Sequence, residues 1–199
     1  MVEEKTLREK ILEAEYDSVF FRSDFPEYHP ESVGRVLSEL ANEDSLLRLA
    51  PGIYVKPRVS RFGPVMPSVE KVVKAIAERD KVQVIPAGVV ALNMLGLSTQ
   101  VPMVYCYLTM GSARTINLGN IKVILKRGVP RNFAYKTKLI AMLVQALRAL
   151  GEGNVEDEEL SQIAMLLTKE PDKEALRNDV QMMPEWMKRI VKPLLHETT

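Results

Sequence analysis

The sequence contains one cysteine, Cys106, and two histidines, His29 and His196, which lie near opposite ends of the 199 residues. A lone cysteine excludes an intrachain disulfide, and this set leaves the usual Cys and His zinc sites without ligands. The motifs HExxH, CxxC and GxSxG are absent, and so is a glycine-rich phosphate loop. We therefore expect no catalytic residues, no metal and no cofactor, and a protein that is not an enzyme.

Long hydrophobic runs are also missing. The apolar stretches Val101–Met110 and Leu139–Leu150 are too short to span a bilayer, and the N-terminus MVEEKTLREK is charged where a signal peptide is apolar. We expect a cytoplasmic protein without a membrane partner. Cys106 lies inside the apolar run MVYCYLT, which favours a buried thiol over a reactive one.

Acidic residues are absent from the middle of the chain. Residues 81–151 contain nine Lys or Arg and no Asp or Glu, whereas residues 1–80 and 152–199 have net charges of −3 and −5. A block without acidic residues is typical of a surface that faces a polyanion. It is equally typical of a weakly charged structural domain whose lysines contact only solvent. The absence also removes paired carboxylates, so a two-metal site would have to use the acidic ends. The acidic cluster Glu156–Glu159 is better explained as the start of a helix.

The N-terminal segment has the pattern of three helical pieces. The first predicted helix is Thr6–Tyr16. The second is a brief helix within Ser18–Phe25, which Ser23 or Asp24 could cap. The third is the amphipathic segment PESVGRVLSELANED, which begins at Pro30. The inward face of the third helix is predicted to carry Val33, Val36, Leu37 and Leu40. Its outward face is predicted to carry Ser32, Arg35, Ser38 and Glu39.

The next segment, LLRLAPGIYVKP, has the pattern of a hairpin with a turn at Pro51 and Gly52, and we expect the Tyr54 hydroxyl to point outward. Helix, short helix, helix and hairpin is the order of a winged helix-turn-helix. That fold inserts one helix into the major groove and places its wing on the flanking backbone. Acids are absent around the wing, which contains Arg48, Lys56, Arg58 and Arg61. The acids of the rest of the module keep open the alternative of a winged helix that binds protein. Irregular structure through VSRFGPVMP places a domain boundary near residues 62–68.

The second part alternates helices and strands. A helix at Val69–Arg79 precedes the strand VQVIP, a buried helix that stops at Gly96, and the strand MVYCYLT. The hairpin RTINL-GN-IKVILK turns at Gly119–Asn120 and separates an apolar face from a basic one. Bases of this hairpin and of the following connection are predicted to face DNA: Lys122, Lys126, Arg127, Arg131 and Lys136. A long helix, Ala134–Leu150, and acidic C-terminal helices complete an α+β chain.

Two segments match a known family. HPESVGRVLSELANEDSLLRLAPGIYVKP resembles the recognition helix and wing of AbiEi-type antitoxins, and VIPAGVVALNMLGLSTQVPMVYCYLTMGSARTINLGN resembles their second domain. The resemblance covers roughly residues 10–168. Glycine is common just before the first wing strand in that family, whereas this chain has Ser45 after Asn42, Glu43 and Asp44. Asn42 can itself adopt the left-handed conformation that such a turn needs.

The resemblance implies a function. AbiEi-type antitoxins are bacterial transcriptional repressors of toxin-antitoxin operons of the abortive infection type, and the operon also encodes a nucleotidyltransferase-like toxin. It implies that Ser32, Arg35 and Ser38 face the groove of operator DNA, and that Arg48, Lys56, Arg58 and Arg61 contact its backbone. The expected domains are a winged helix at 1–62, a basic antitoxin-type α+β domain at 68–151 and acidic helices at 152–199. The main alternative is an adaptor that neutralises a protein partner without binding DNA, and a more remote one is a nucleic-acid enzyme.

Overall fold

The computed structural model describes residues 6–196, with the side chain of His196 outside the described part. The described residues form eight α-helices: α1 (Leu7–Glu13), α2 (Pro30–Asn42), α3 (Val69–Asp80), α4 (Val89–Met94), α5 (Lys138–Leu150), α6 (Asp157–Lys169), α7 (Lys173–Met182) and α8 (Glu185–His196). They also form nine strands: β1 (Val19–Phe20), β2 (Leu47–Ala50), β3 (Ile53–Val55), β4 (Arg58–Ser60), β5 (Gly63–Val65), β6 (Val84–Ala87), β7 (Val104–Thr109), β8 (Arg114–Leu118) and β9 (Ile121–Arg127). The predicted mixed α+β class is confirmed.

The chain divides into two compact units. The first contains the described residues up to Lys81 together with Thr115–Val123, and the second contains Val82–Arg114 and the described residues from Ile124 onward. Helix α3 therefore groups with the N-terminal elements, whereas the sequence placed a boundary at residues 62–68. One reason is that the Arg79 guanidinium of α3 lies 4.2 Å from the centre of the Phe21 ring. The predicted domain limits stay predictions.

Helices α1 and α2 follow from local signals. Thr6 caps α1 in a reciprocal arrangement with Glu9, and Pro30 occupies the first position of α2 as predicted. The apolar stripes of both helices lie in one core, which contains Leu7, Ile11, Val33, Leu37, Leu40, Leu46 and Tyr54. Beside this core, a three-stranded sheet has the order β1-β3-β2.

Helix α2 ends differently from the prediction. Asn42 is still helical, and the left-handed residue is Asp44, with a φ of 59°. The reason is the hydrogen bonding at this end, where the Ser45 and Leu46 amides both donate to the Leu40 carbonyl, at 3.0 and 3.1 Å. This closure requires the chain to reverse after Glu43.

The segment predicted to be irregular after the first hairpin forms a second one. Strands β4 and β5 pair antiparallel with Arg58 opposite Val65 and Ser60 opposite Gly63. The Ser60 hydroxyl donates to the Gly63 carbonyl at 2.9 Å and accepts from the Phe62 amide at 3.2 Å. Gly63 has a φ of 109°, which a side chain rarely adopts. Glycine and proline here shape a tight turn, so the expectation of irregular structure was wrong.

A four-stranded sheet has the order β6-β7-β9-β8. The hairpin β8–β9 turns at Gly119–Asn120 as predicted, with Ile116, Leu118 and Val123 buried. Thr115, Asn117, Lys122 and Lys126 are exposed, as the alternation predicts. In β7, Cys106 is half-buried, so its thiol is less enclosed than predicted.

The second unit has a helical core. Helices α4 to α8 contribute most of its buried residues, with Ile140, Val144, Leu147, Ile163 and Val191 among the most enclosed. Trp186 packs against this core. Helix α6 begins with Asp157, Glu158 and Glu159, and the Glu159 carboxylate accepts from the Glu156 amide at 3.0 Å. The acidic cluster therefore caps a helix.

Helix α5 begins at Lys138 and not at Ala134 as predicted. Residues Pro130–Phe133 form a 3-10 helix, and Thr137 caps α5. Asp179 of α7 is fully buried. Its carboxylate accepts hydrogen bonds from the Lys136 and Thr137 amides, at 3.0 and 2.7 Å, and from the Thr137 hydroxyl at 2.7 Å. These bonds fix residues 136 and 137 in a non-helical conformation, so α5 begins only at Lys138.

We expect Asp179→Ala to lower the free energy of unfolding by about 3 kcal/mol, because it leaves three donors near α5 without an acceptor. Asp179→Asn, which keeps one carbonyl acceptor, should cost less. Urea unfolding followed by circular dichroism measures both, with Glu174→Ala as an exposed control on the same helix. Equal stability of Asp179→Ala and the control would contradict this role for Asp179.

Candidate nucleic-acid interface

The outward face of α2 is the centre of the candidate interface. Val33, Leu37 and Leu40 are fully buried, whereas Ser32 and Arg35 are exposed. The Arg35 side chain is 73% exposed, and its Nε lies 3.8 Å from Oε1 of Glu39, one turn further on. An exposed pair of this kind holds its partners weakly, so the Arg35 guanidinium is available to a ligand.

Ser38 is directed into the protein. Its hydroxyl donates to the Gly34 carbonyl at 2.8 Å and lies 3.1 Å from the hydroxyl of Tyr54 in β3. Tyr54 is 2% exposed, so the expectation that its hydroxyl points outward was wrong. Both hydroxyls have partners inside the protein, and donation from the Ser38 hydroxyl to a base would require breaking its bond to the Gly34 carbonyl.

Arg22, which the sequence analysis did not select, lies against α2. A Cβ atom added at Gly34 would meet the Arg22 guanidinium at 2.7 to 2.8 Å, so this side chain covers the glycine. Arg22 is exposed, and within residues 6–196 no carboxylate lies within 4 Å of it. Gly34 was the available signal, because a glycine inside an amphipathic helix often marks close approach by another group.

The first hairpin and the strands that follow it hold three exposed arginines. The Arg48 guanidinium lies 6.0 Å from the Tyr54 ring centre, and the Arg61 guanidinium 4.7 Å from that of Phe62. Arg58 forms an ion pair of 2.9 Å with the largely buried Asp17 and remains 64% exposed. Each guanidinium is thus held in place while keeping a side open to solvent.

Lys56 has a structural partner. Its ammonium donates to the Ala14 carbonyl at 2.7 Å and to the Leu12 carbonyl, at the end of α1, and lies 5.1 Å from the Tyr16 ring centre. A cation at a helix C-terminus satisfies carbonyls that have no intrahelical donor. The structure gives Lys56 a fold-stabilising position that the sequence did not predict.

Lys122 belongs to the first unit together with the tip of the β8–β9 hairpin. The side chain of Met66, which follows β5, lies 3.8 Å from the Cβ position of Gly119 at that tip. Lys122 is exposed, and none of the described carboxylates lies within 4 Å of its ammonium. The segment Thr115–Val123 therefore adds one base of the acid-free block to the first unit.

The remaining predicted bases lie in the second unit. Lys126, Arg127, Arg131 and Lys136 are all exposed, and in the described part of the chain none of their side-chain nitrogens forms an ion pair with a carboxylate within 4 Å. Burial raises the pKa of Tyr135, and the positive charges of Arg131 and Arg148 oppose that rise. This stretch is a surface of unneutralised positive charge, which attracts polyanions.

Residues 6–196 contain no group of three or more His, Cys, Asp or Glu side chains that could hold a metal ion. No helix in the described part of the chain is both long and apolar enough to cross a bilayer. His29 precedes α2 at the capping position, and its side chain makes no capping hydrogen bond.

Comparison with known proteins gives one match. Residues 6–175 match a family described as a family of unknown function (DUF6088). The chain belongs to this family. No curated protein and no solved structure matches the sequence. The match includes residues of both units of this family member, ending at residue 175 in the second, and it includes every residue of the candidate interface.

The contacts of Lys56 and Arg48 predict different effects on stability. We expect Lys56→Ala to lower the free energy of unfolding by about 1 to 2 kcal/mol, because two helix-end carbonyls lose their donor. Arg48→Ala should change it by less than about 0.5 kcal/mol, since its side chain is exposed. Chemical denaturation of both variants compares them, and similar losses would show that Lys56 carries no special structural role.

Proposed function

We propose that this protein is a site-specific DNA-binding transcriptional repressor whose first unit contains a winged helix. One observation carries the proposal: Arg22 lies against α2 at Gly34, β3 contacts α2 through Tyr54 and Ser38, and the hairpin segment that contains β3, residues 45–69, has four bases and no acid. The element order also supports it, because α1, β1, a 3-10 helix at Arg22–Asp24, α2 and the hairpin β2–β3 follow one another as expected for a winged helix.

The contacts assign different roles to the bases. Arg35 projects from the middle of α2 and suits a bidentate contact to a guanine edge in the major groove. Arg22, at the edge of the same face, and Arg48, Arg58 and Arg61, on the hairpins, suit phosphate contacts that set the register. Lys56 takes no part in this proposal as a direct contact, because its ammonium is bound to carbonyls of α1.

The second unit adds phosphate contacts in this proposal. Lys126, Arg127, Arg131 and Lys136 carry positive charge that no described carboxylate neutralises, and phosphates would supply the missing negative charge. The resemblance to AbiEi-type antitoxins extends the proposal to a cytoplasmic antitoxin that counters a nucleotidyltransferase-like toxin encoded nearby. A gene of that kind beside this one would support the extension, and its absence would leave a plain regulator.

The acids on α2 favour the second candidate, an adaptor that binds a protein. Glu31 and Glu39 are exposed on the same face as Arg35. This face therefore carries both negative and positive charges, which suits a protein partner. An adaptor predicts weak DNA binding without sequence preference. The two candidates therefore differ in whether the full-length chain enriches a particular duplex from a random-sequence library.

For the repressor, we expect Arg35→Ala to weaken binding to the enriched duplex by about 1 to 3 kcal/mol and to change binding to a scrambled duplex little, because the lost contact is specific to a base. Arg48→Ala should weaken both by similar amounts. Fluorescence anisotropy at a fixed salt concentration measures the four affinities. Equal losses of Arg35→Ala on both duplexes would make Arg35 a phosphate contact instead.

The basic residues outside α2 should control how strongly the DNA affinity depends on salt concentration. Alanine at Lys122, Lys126, Arg131 and Lys136 together should flatten the slope of log affinity against log salt by about three if three or four of them contact phosphate, since each contact contributes roughly 0.9. A matched control removes the exposed bases Lys169, Arg177 and Lys192 of the C-terminal helices and should leave the slope unchanged. If the quadruple variant keeps the wild-type slope, these bases are solvated or face a protein.

A further inference from the structure

The tip of the second hairpin presents an aromatic ring to solvent. Phe62 is 86% exposed and Val59 80%, and no other large hydrophobic residue in the described range is as exposed. Val65, across the hairpin, is 45% exposed. A two-stranded ribbon gains little stability alone, and this one buries none of its large apolar side chains. Exposed apolar groups that do not serve the core commonly serve a partner.

The position of Phe62 is fixed by its neighbours. The Ser60 hydroxyl bridges the turn, accepting from the Phe62 amide and donating to the Gly63 carbonyl. The Arg61 guanidinium lies over the Phe62 ring, 4.7 Å from its centre. At the base of the hairpin, the ion pair between Arg58 and Asp17 ties β4 to the first unit. The ring is therefore presented in an ordered turn, which lowers the entropy lost on binding.

The charges around the ring indicate the partner. The surrounding segment, residues 45–69, contains Arg48, Lys56, Arg58 and Arg61 and no acid. A partner must therefore offer negative charge and an apolar, flat surface within one side chain's length of each other. Duplex DNA has this combination, because the stacked bases lie just behind the phosphates and are reached from the minor groove.

We propose that Phe62 is a wedge that enters the minor groove and partly unstacks one base step, with Arg58 and Arg61 on the adjoining phosphates. This proposal rests on the proposed DNA-binding function and adds a contact beyond α2. Pyrimidine–purine steps unstack most easily, so the wedge selects such a step at a fixed distance from the bases that α2 reads.

The test uses the full-length chain and the duplex that it enriches from a random-sequence library. Each adenine of that duplex is replaced in turn by 2-aminopurine, whose fluorescence rises when stacking is lost. We expect the wild-type protein to raise the fluorescence at one step. Phe62→Ala should abolish this rise and bind about tenfold more weakly, because a stacking contact is lost. Its salt slope should stay unchanged, since no charge is removed.

Three further variants sharpen the comparison. Phe62→Leu keeps an apolar wedge and should retain most of the fluorescence rise, which separates insertion from a general effect of substitution. Ser60→Ala releases the turn and should reduce the rise without removing the ring. Val101→Ala is the control, because Val101 is also a strongly exposed apolar side chain, at 73%, but belongs to the second unit. It should behave like the wild type.

The outcomes separate this proposal from the function on which it rests. If no duplex is enriched, the proposed DNA-binding function fails and the wedge fails with it. If a duplex is enriched but Phe62→Ala raises the fluorescence as the wild type does, the wedge alone is wrong. Loss of self-association in Phe62→Ala, measured by sedimentation, with unchanged fluorescence would instead assign the ring to contact with a second copy of the chain.

Discussion

The contact between the Ser38 and Tyr54 hydroxyls fixes the geometry on which the candidate interface depends. It joins the middle of α2 to the central strand of the three-stranded sheet, with both side chains shielded from bulk water. Tyr54 also packs in the core with Val33 and Leu37 and lies under the Arg48 guanidinium. The exposed face of α2 and the first hairpin therefore keep a fixed relation, because rotating the helix would leave a buried hydroxyl without its partner.

Ion pairing distributes the remaining positive charge unevenly over the first unit. Arg8 pairs with Glu43, Lys10 with Glu27 and Arg58 with Asp17, and all three pairs connect different segments of the unit. Among the described residues, the guanidinium groups of Arg22, Arg48 and Arg61 have no carboxylate within 4 Å; Arg22 lies against α2, and the other two lie on the hairpins. These guanidinium groups pack against aromatic rings or against a glycine, and no described carboxylate neutralises their charge. An anion that binds beside them is therefore stabilised by electrostatic attraction.

The sequence predicted the features that depend on neighbouring residues. The stripe of α2, its start at Pro30 and the Gly119–Asn120 turn are confirmed, because a few adjacent residues determine each of them. Features that depend on distant partners were missed. The start of α5 is set by Asp179, which is 42 residues from Thr137, and the position of Lys56 by the end of α1. Arg22 escaped notice because its contact with Gly34 exists only in the fold.

The acids on α2 need not oppose the proposed repressor. A helix in the major groove lies between the phosphate rows, where a carboxylate can accept a hydrogen bond from a cytosine amino group. Glu31 and Glu39 would then weaken binding to other DNA sequences, because phosphates and base acceptors repel their carboxylates. At the specific site, the hydrogen bond to cytosine would offset this repulsion. This division requires affinity to come from elsewhere in the molecule. In the proposed repressor, the exposed arginines Arg22, Arg48, Arg58 and Arg61 of the first unit would supply it, so that charge would set the strength of binding and α2 its selectivity.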